Sequence, residues 1–142
     1  MIEKAIYNIL RTDADLTALA PHIYFGVEPG KDAAGGTAIT KDYIVFYRNS
    51  TEPNDTKTGR STLDEAQVHV NCFSESADRS ATLAETVRGV LDRYSGTSGG
   101  VKVQSIQYTN QINLFEFNET YNTRGLFQIT QFYHCRFEPQ YL

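Results

Sequence analysis

Residues 66–92, AQVHVNCFSESADRSATLAETVRGVLD, join a strand to a helix and decide the fold class. Over residues 63–73 apolar and polar side chains alternate, which is typical of a strand with one buried face. The apolar positions of this strand are Ala66, Val68, Val70 and Cys72. The polar positions are Glu65, Gln67, His69 and Asn71. We expect the polar face to lie toward water or a partner.

The helix that follows is predicted to run to Tyr94. Ser74 or Ser76 can cap its first turn, and Gly96 suits the position just after its last turn. Its apolar side chains recur at helical spacing and form one stripe: Leu83, Ala84, Val87, Val90, Leu91 and Tyr94. Gly89 lies in mid-helix, where it costs about 1 kcal/mol relative to Ala, and we expect it to allow close packing on the sheet.

The flanking segments extend this unit to a complete α+β domain. Residues 2–11 carry a second helical stripe, and a short turn that Thr12 or Asp13 can cap follows and ends before Pro21. Strands are predicted at residues 22–27, 43–49, 101–117 and 125–137, and the second of these is expected to be buried on both faces. The predicted order is α-β-β-β-α-β-β in a single domain, residues 1–142. We expect a mainly antiparallel β-sheet with two principal α-helices packed on one face.

Composition excludes several classes of function. The chain has 142 residues with 13 Lys plus Arg against 17 Asp plus Glu, so its net charge is −4. Because the basic residues are dispersed, a nucleic-acid-binding surface is not expected. The apolar runs are only five or six residues long, so no membrane span is expected. The N-terminus lacks the pattern of a signal peptide, and the two cysteines are expected to be free thiols in a reducing compartment.

A serine hydrolase site is the one enzymatic motif to consider. Residues 96–100, GTSGG, match G-x-S-x-G, and Ser98 with His134 and either Glu116 or Glu119 gives a nominal triad in the right chain order. The motif requires a strand, a turn and then a helix, whereas here a helix precedes the turn and a strand follows it. We therefore expect a Gly/Ser turn and no enzyme.

Cofactor and metal sites are not expected either. Lys31 and Asp32 lie in a Gly-rich loop, but the Lys precedes most of the glycines and a strand follows, which does not fit a phosphate-binding loop. The three His and two Cys residues show no metal-ligand spacing. We predict neither a cofactor nor a metal, with Cys72 and Cys135 packed as small apolar residues.

Polar loops and the polar strand face are therefore the candidate functional surfaces. Two long loops are predicted, at residues 28–42 and 50–62, with a further connection at 118–124, and long loops in compact domains are usually functional or disordered. Exposed strand edges can also pair with a neighbouring chain. The candidate interaction residues are Lys31, Asp32, Arg48, Glu52, Asn54, Asp55, Lys57, Arg60, Glu65, Gln67 and His69.

The order of segments resembles the tail completion family of long-tailed bacteriophages, also called tail terminator or head–tail joining proteins. The resemblance spans essentially the whole chain and rests on six segments. They are IEKAIYNILRTDADLTAL, IYFGVEPG, YIVFYRNSTEP, the junction at residues 66–92, VQSIQY, and YNTRGLFQITQFYHCRFE. No catalytic signature is among them.

The resemblance implies a structural protein of the virion, made in the bacterial cytoplasm. Such proteins form a ring, usually a hexamer, at the head-proximal end of the tail tube. The expected partners are other copies of the chain, the tail tube protein and the neck proteins, with DNA only passing through the lumen and no membrane contact. Loops 28–42 and 50–62 are expected to contact axial neighbours, and strands 43–48 and 63–73 to form the subunit sheet and its ring contacts.

Three alternatives stay open at this point. Within the same class, the chain could be a neck adaptor at the head–tail connector or another minor tail protein. From other classes, it could be a small serine hydrolase using Ser98 and His134, or a small-ligand binding domain using its Tyr- and Phe-rich C-terminal sheet. Ordinary packing of helices on a sheet accounts for those aromatic residues without a ligand cavity.

Overall fold

The computed structural model describes residues 2–20, 22–25, 42–53, 63–74, 76–116 and 126–138. It contains three helices and six strands within these ranges. The helices are α1 (Ile2–Thr12), α2 (Ala14–Leu19) and α3 (Ala77–Leu91). The strands are β1 (His22–Phe25), β2 (Tyr43–Pro53), β3 (Asp64–Ser74), β4 (Gly96–Ser98), β5 (Val101–Glu116) and β6 (Leu126–Phe137).

The six strands form one sheet in the order β1-β2-β3-β6-β5-β4. All neighbouring strands are antiparallel except β1 and β2, which are parallel. The predicted α+β class and its mainly antiparallel sheet are confirmed.

The helices cover one face of the sheet because each has a single apolar stripe. The stripe of α1 is fully or almost fully buried, as predicted, and consists of Ile2, Ala5, Ile6, Ile9 and Leu10. Ser76 caps α3 by accepting a hydrogen bond from the Arg79 amide, and Asp13 caps α2 in the same way. The main core lies between these helices and the inward side chains of β2, β3, β5 and β6, including both cysteines.

The C-terminal end of α3 differs from the prediction. The helix ends at Leu91 rather than Tyr94, and Arg93 takes the left-handed conformation (φ 66°) expected at Gly96. The reason is tertiary: the Arg93 amide donates to the Ile106 carbonyl, and the Ile106 amide donates to the Tyr94 carbonyl. The chain therefore leaves the helix early in order to lie along β5.

Three further expectations are corrected. Strand β2 continues to Pro53 because it pairs with β3 down to Asp64, so the predicted loop at 50–62 begins after residue 53. Only the first half of β2 is buried on both faces, since its side chains from Tyr47 to Asn49 are exposed. Gly89 does not mediate close packing, because a Cβ at this position would meet nothing within 4 Å.

Candidate interaction surface

The face of the sheet opposite the helices is the candidate interaction surface, and we call it the open face. Alternation along the strands and the pairing register decide which side chains it carries. Its cross-strand rows run from β2 through β3 and β6 to β5. One row contains Tyr47, His69, Phe132 and Asn110, and the next contains Ser50, Gln67, His134 and Gln107.

An apolar cluster occupies one end of the open face. Tyr43 and Phe73 stack with their ring centroids 4.7 Å apart, and Val45 completes the cluster. All three side chains are at most 6% exposed. This end of the face is therefore a small second core, separate from the core under the helices.

A hydrogen-bonded polar network adjoins this cluster. The Asn71 side chain donates to the Val45 carbonyl, and its Oδ1 accepts from Thr130 Oγ1 at 2.7 Å and Gln128 Nε2 at 2.9 Å. Asn71 and Thr130 are buried. The polar face of β3 was expected to lie toward water or a partner, but Asn71 is instead buried, and cross-strand partners within the chain satisfy its amide beside the apolar cluster.

A row of rings crosses the middle of the open face. The Tyr47 hydroxyl lies 3.0 Å from His69 Nδ1, and the Phe132 ring contacts His69 edge-on with centroids 4.4 Å apart. Burial lowers the pKa of His69, so its ring is neutral at neutral pH. Tyr47 is 36% exposed, which leaves a polar-edged aromatic surface of the kind enriched at protein interfaces.

Charged groups gather at the far end of the open face. Glu65 pairs with Arg136 at 3.2 Å and lies 3.8 Å from His134 Nε2. A depression of about 350 Å³ lies between this cluster and the row of rings, and Gln67 and Gln107 help to line it. Its lining is mainly amide, hydroxyl and imidazole groups, which suits polar contact with a macromolecular surface.

The remaining candidate interaction residues divide into two groups. Arg48 is on the helix side of the sheet, where its Nε lies 2.8 Å from Oε1 of the buried Glu3, so it ties β2 to α1. Glu52 belongs to β2 and pairs in register with Glu65. The other six lie outside the described residues: Lys31, Asp32, Asn54, Asp55, Lys57 and Arg60.

The geometry gives no support to a Ser98 hydrolase. The Ser98 hydroxyl donates to the Ala5 carbonyl of α1 at 2.9 Å, which places it on the helix side of the sheet. His134 lies on the open face beside Glu65, so the two side chains are on opposite sides. Gly99 (φ 58°) brings the β4–β5 turn against the Lys4 backbone, and the turn therefore serves packing.

Within the described ranges, no group of three or more His, Cys, Asp or Glu residues is placed to hold a metal ion. His69 and His134 are on the open face, whereas Cys72 and Cys135 are in the core on the other side. Burial raises the pKa of both thiols to about 12. No helix in the described part of the chain is long and apolar enough to cross a membrane.

Sequence reasoning missed several surface residues that the sheet register brings into view. Tyr47 and Phe132 flank His69, but they are distant in sequence and only the pairing of three strands unites them. Ile112 and Leu114 on β5 are 45% and 49% exposed. In the sequence, Ile112 and Leu114 alternate with polar residues as in a strand whose apolar side packs on a core. The structure shows that they are exposed, because no helix of the described ranges covers this side of β5.

Comparison with known proteins identifies relatives of the whole domain. The family model described as Tail completion protein gp17 matches residues 4–134. One solved structure, from the virion of a native gene transfer agent particle, superposes with a TM-score of 0.62 and 18% identity, covering 95% of this chain and 92% of that chain. A second superposes with a TM-score of 0.51 and 16% identity, covering 98% and 96%. No curated protein matches the chain in sequence.

Proposed function

The chain belongs to the tail completion protein gp17 family and is a structural protein of a phage-type tail, and from this premise we propose that it forms the ring that terminates the tail. In this role six copies close on the head-proximal end of the tail tube. One side of the ring binds the last tube subunits, and the other side receives the neck of the filled head. The observation that carries the proposal is the family match over residues 4–134.

The described surface agrees with a role in assembly. A ring of identical subunits needs two different patches on each subunit, because its contacts run head to tail. The sheet presents an open face of mixed polar and aromatic character and two edges that carry different residues. A structural family and a Ser98 hydroxyl that is engaged with α1 both argue against an enzyme.

The axial contacts are proposed to lie in the segments that connect the strands. Residues 54–62 connect the end of β2 at Pro53 to Leu63, the residue before β3 begins at Asp64. This segment carries Asn54, Asp55, Lys57 and Arg60. Segment 28–42, with Lys31 and Asp32, is the second proposed axial contact. The open face of β3 would then take part in contacts within the ring rather than in axial contacts.

Deletion of the gene from the parent phage, followed by negative-stain microscopy, tests the proposed role. Overlong or ragged tails beside unattached, DNA-filled heads are the expected result. Tails of correct length that fail to join heads would overturn termination and establish the second candidate, a neck adaptor. Normal infectious particles would exclude both roles.

A further inference from the structure

Two long strand edges on opposite sides of the sheet have no pairing partner among the described residues. On one side β1 pairs with β2 only from Tyr43 to Phe46, so residues 47–53 have no strand partner on that side within the described ranges. On the other side β4 covers β5 only from Val101 to Val103, and residues 92–94 bond to it at Ile106 and Tyr108. Residues 109–116 of β5 have no strand outside them in the described ranges.

From residue 110 onward the β5 edge carries few of the features that usually prevent edge pairing, and its one bulge lies at the start, at Thr109. Residues 109–116, TNQINLFE, contain no Lys, Arg or Pro, and their one charge is the terminal Glu116. Proteins commonly protect such edges with charged residues, prolines or bulges. Ile112 and Leu114 are also about half exposed on this strand. An uncharged edge of this length is a template for another strand.

The hydrogen bonds of β5 show which amides point outward. The Tyr108 amide donates to Asp92 Oδ1 on the outer side of the strand. A one-residue bulge at Thr109 shifts the alternation, since both neighbours remain in register with β6. Counting from Asn110, where the register with β6 resumes, the backbone amides of Gln111 and Asn113 point away from β6 and the amide of Ile112 points toward it.

The two open edges match in direction and position. The pairs β2–β3, β3–β6 and β6–β5 are all antiparallel, so β5 runs opposite to β2. If the sheet continued into a second copy in the same orientation, β5 of one copy would therefore lie antiparallel to β2 of the next. The middle of the β2 edge, Ser50, lies in the same cross-strand row as His134 of β6, and the middle of the β5 edge, Ile112, lies in the row of Thr130. Because His134 and Thr130 are four residues apart on β6, the two edges are offset along the strands by about four residues. Over four strands about 4.8 Å apart, this offset gives a tilt of about 35°, near that of closed barrels.

We propose that the outer edge of β5, residues 109–116, pairs antiparallel with the outer edge of β2, residues 47–53, of a second copy of this chain. This inference rests on the proposed ring and assigns its subunit contact. The contact is heterologous, so it does not stop at a dimer, and it closes into a ring when the rotation between neighbouring copies completes a full turn. Backbone hydrogen bonds supply the pairing, and Ile112 and Leu114 add apolar contact across it.

An introduced cysteine pair tests the pairing in tails purified from the parent phage. The I112C/S50C variant places both thiols on the open face, where adjoining edges bring them together. In the I112C/T51C control the second thiol lies on the helix face, because Thr51 pairs with the core residue Ala66. The native thiols do not interfere, because both are buried with pKa values near 12.

The expected result is a ladder of disulfide-linked species up to the closed ring with I112C/S50C, and no ladder with the control. Tails that contain the protein but show no ladder would overturn the edge pairing and leave the ring proposal standing. Dimers formed by I112C alone would also overturn it, since they indicate pairing of β5 with β5. Absence of the protein from normal tails would instead contradict the proposed function.

A proline at the edge gives an independent measurement. Asn113→Pro removes an outward amide while leaving the bonds to β6 in place, so the domain should still fold. Asn113→Thr is the matched control and keeps the amide. We expect the Pro variant to be lost from tails at least tenfold relative to the Thr variant, with circular dichroism confirming that both are folded. Equal incorporation would contradict the proposed edge.

Discussion

At the residue scale, His69 belongs both to the row of rings and to the lining of the polar depression on the open face. It lies between Tyr47 and Phe132, one edge-on ring contact from each, and it also borders the polar depression. Burial disfavours the charged imidazole and lowers its pKa from the ordinary value of 6.5. The unfolded chain therefore binds a proton at this position more readily than the folded one.

This difference predicts a pH dependence of stability. The contribution of neutral His69 is fully present above pH 6.5 and is lost as the pH falls below that value, because protonation then favours the unfolded state. We expect His69→Gln to flatten the fall in Tm between pH 7.5 and 5.5. Tyr47→Phe, which keeps the imidazole and removes only the hydroxyl, should retain the wild-type fall. Parallel curves for wild type and His69→Gln would contradict this account.

At the scale of single elements, α3 contains a glycine whose replacement by alanine should stabilise the protein. Gly89 lies in the interior of the helix, on its exposed side, and a Cβ there would meet no other atom within 4 Å. We expect Gly89→Ala to raise the free energy of unfolding by about 0.5–1 kcal/mol, because it reduces the backbone freedom of the unfolded chain. Thermal unfolding should show this as an increase of about 2–4 °C in Tm. An unchanged or lower Tm would mean that Gly89 has a packing partner after all.

The elements also show what sequence reasoning could predict. The stripe of α1, the stripe of α3 as far as Leu91 and the alternation of β3 were predicted correctly, since each pattern is local and describes its own element. The early end of α3 was not, because it depends on bonds from Arg93 and Tyr94 to a strand more than ten residues away. Burial of Asn71 likewise depends on Gln128 and Thr130. The interaction face was recognised only in part because its rows combine residues from four strands.

At the scale of the whole molecule, the proposed edge pairing would decide which face of the subunit lines the proposed ring. If each of six copies contributes β2, β3, β6 and β5, with β1 and β4 left out of the count, the ring has twenty-four strands. Spaced about 4.8 Å apart and tilted by about 35°, they would close into a barrel about 45 Å across at the backbone. Helices are about 10 Å thick, so a layer of them inside would nearly fill this space. In the proposed ring the helices would therefore face outward and the open face would line the channel. In that proposed ring Gln67, Gln107 and Thr109, which line the depression, would offer passing DNA a largely uncharged polar wall.

In that proposed arrangement the strand ends would point along the ring axis, which agrees with the proposal that residues 54–62 contact an axial neighbour. Replacing these nine residues by Asn-Gly leaves a three-residue connection, with Leu63, between Pro53 and Asp64, which pair in register. We expect the variant to fold with wild-type Tm and to form rings, because the sheet and both open edges are intact. It should nevertheless fail to cap tails, which microscopy would show as overlong tubes. A second variant replaces residues 54–62 by a nine-residue Gly-Ser segment, and it should fail equally if the side chains carry the contact. Tails of normal length with the short connection would move the axial contact to another segment.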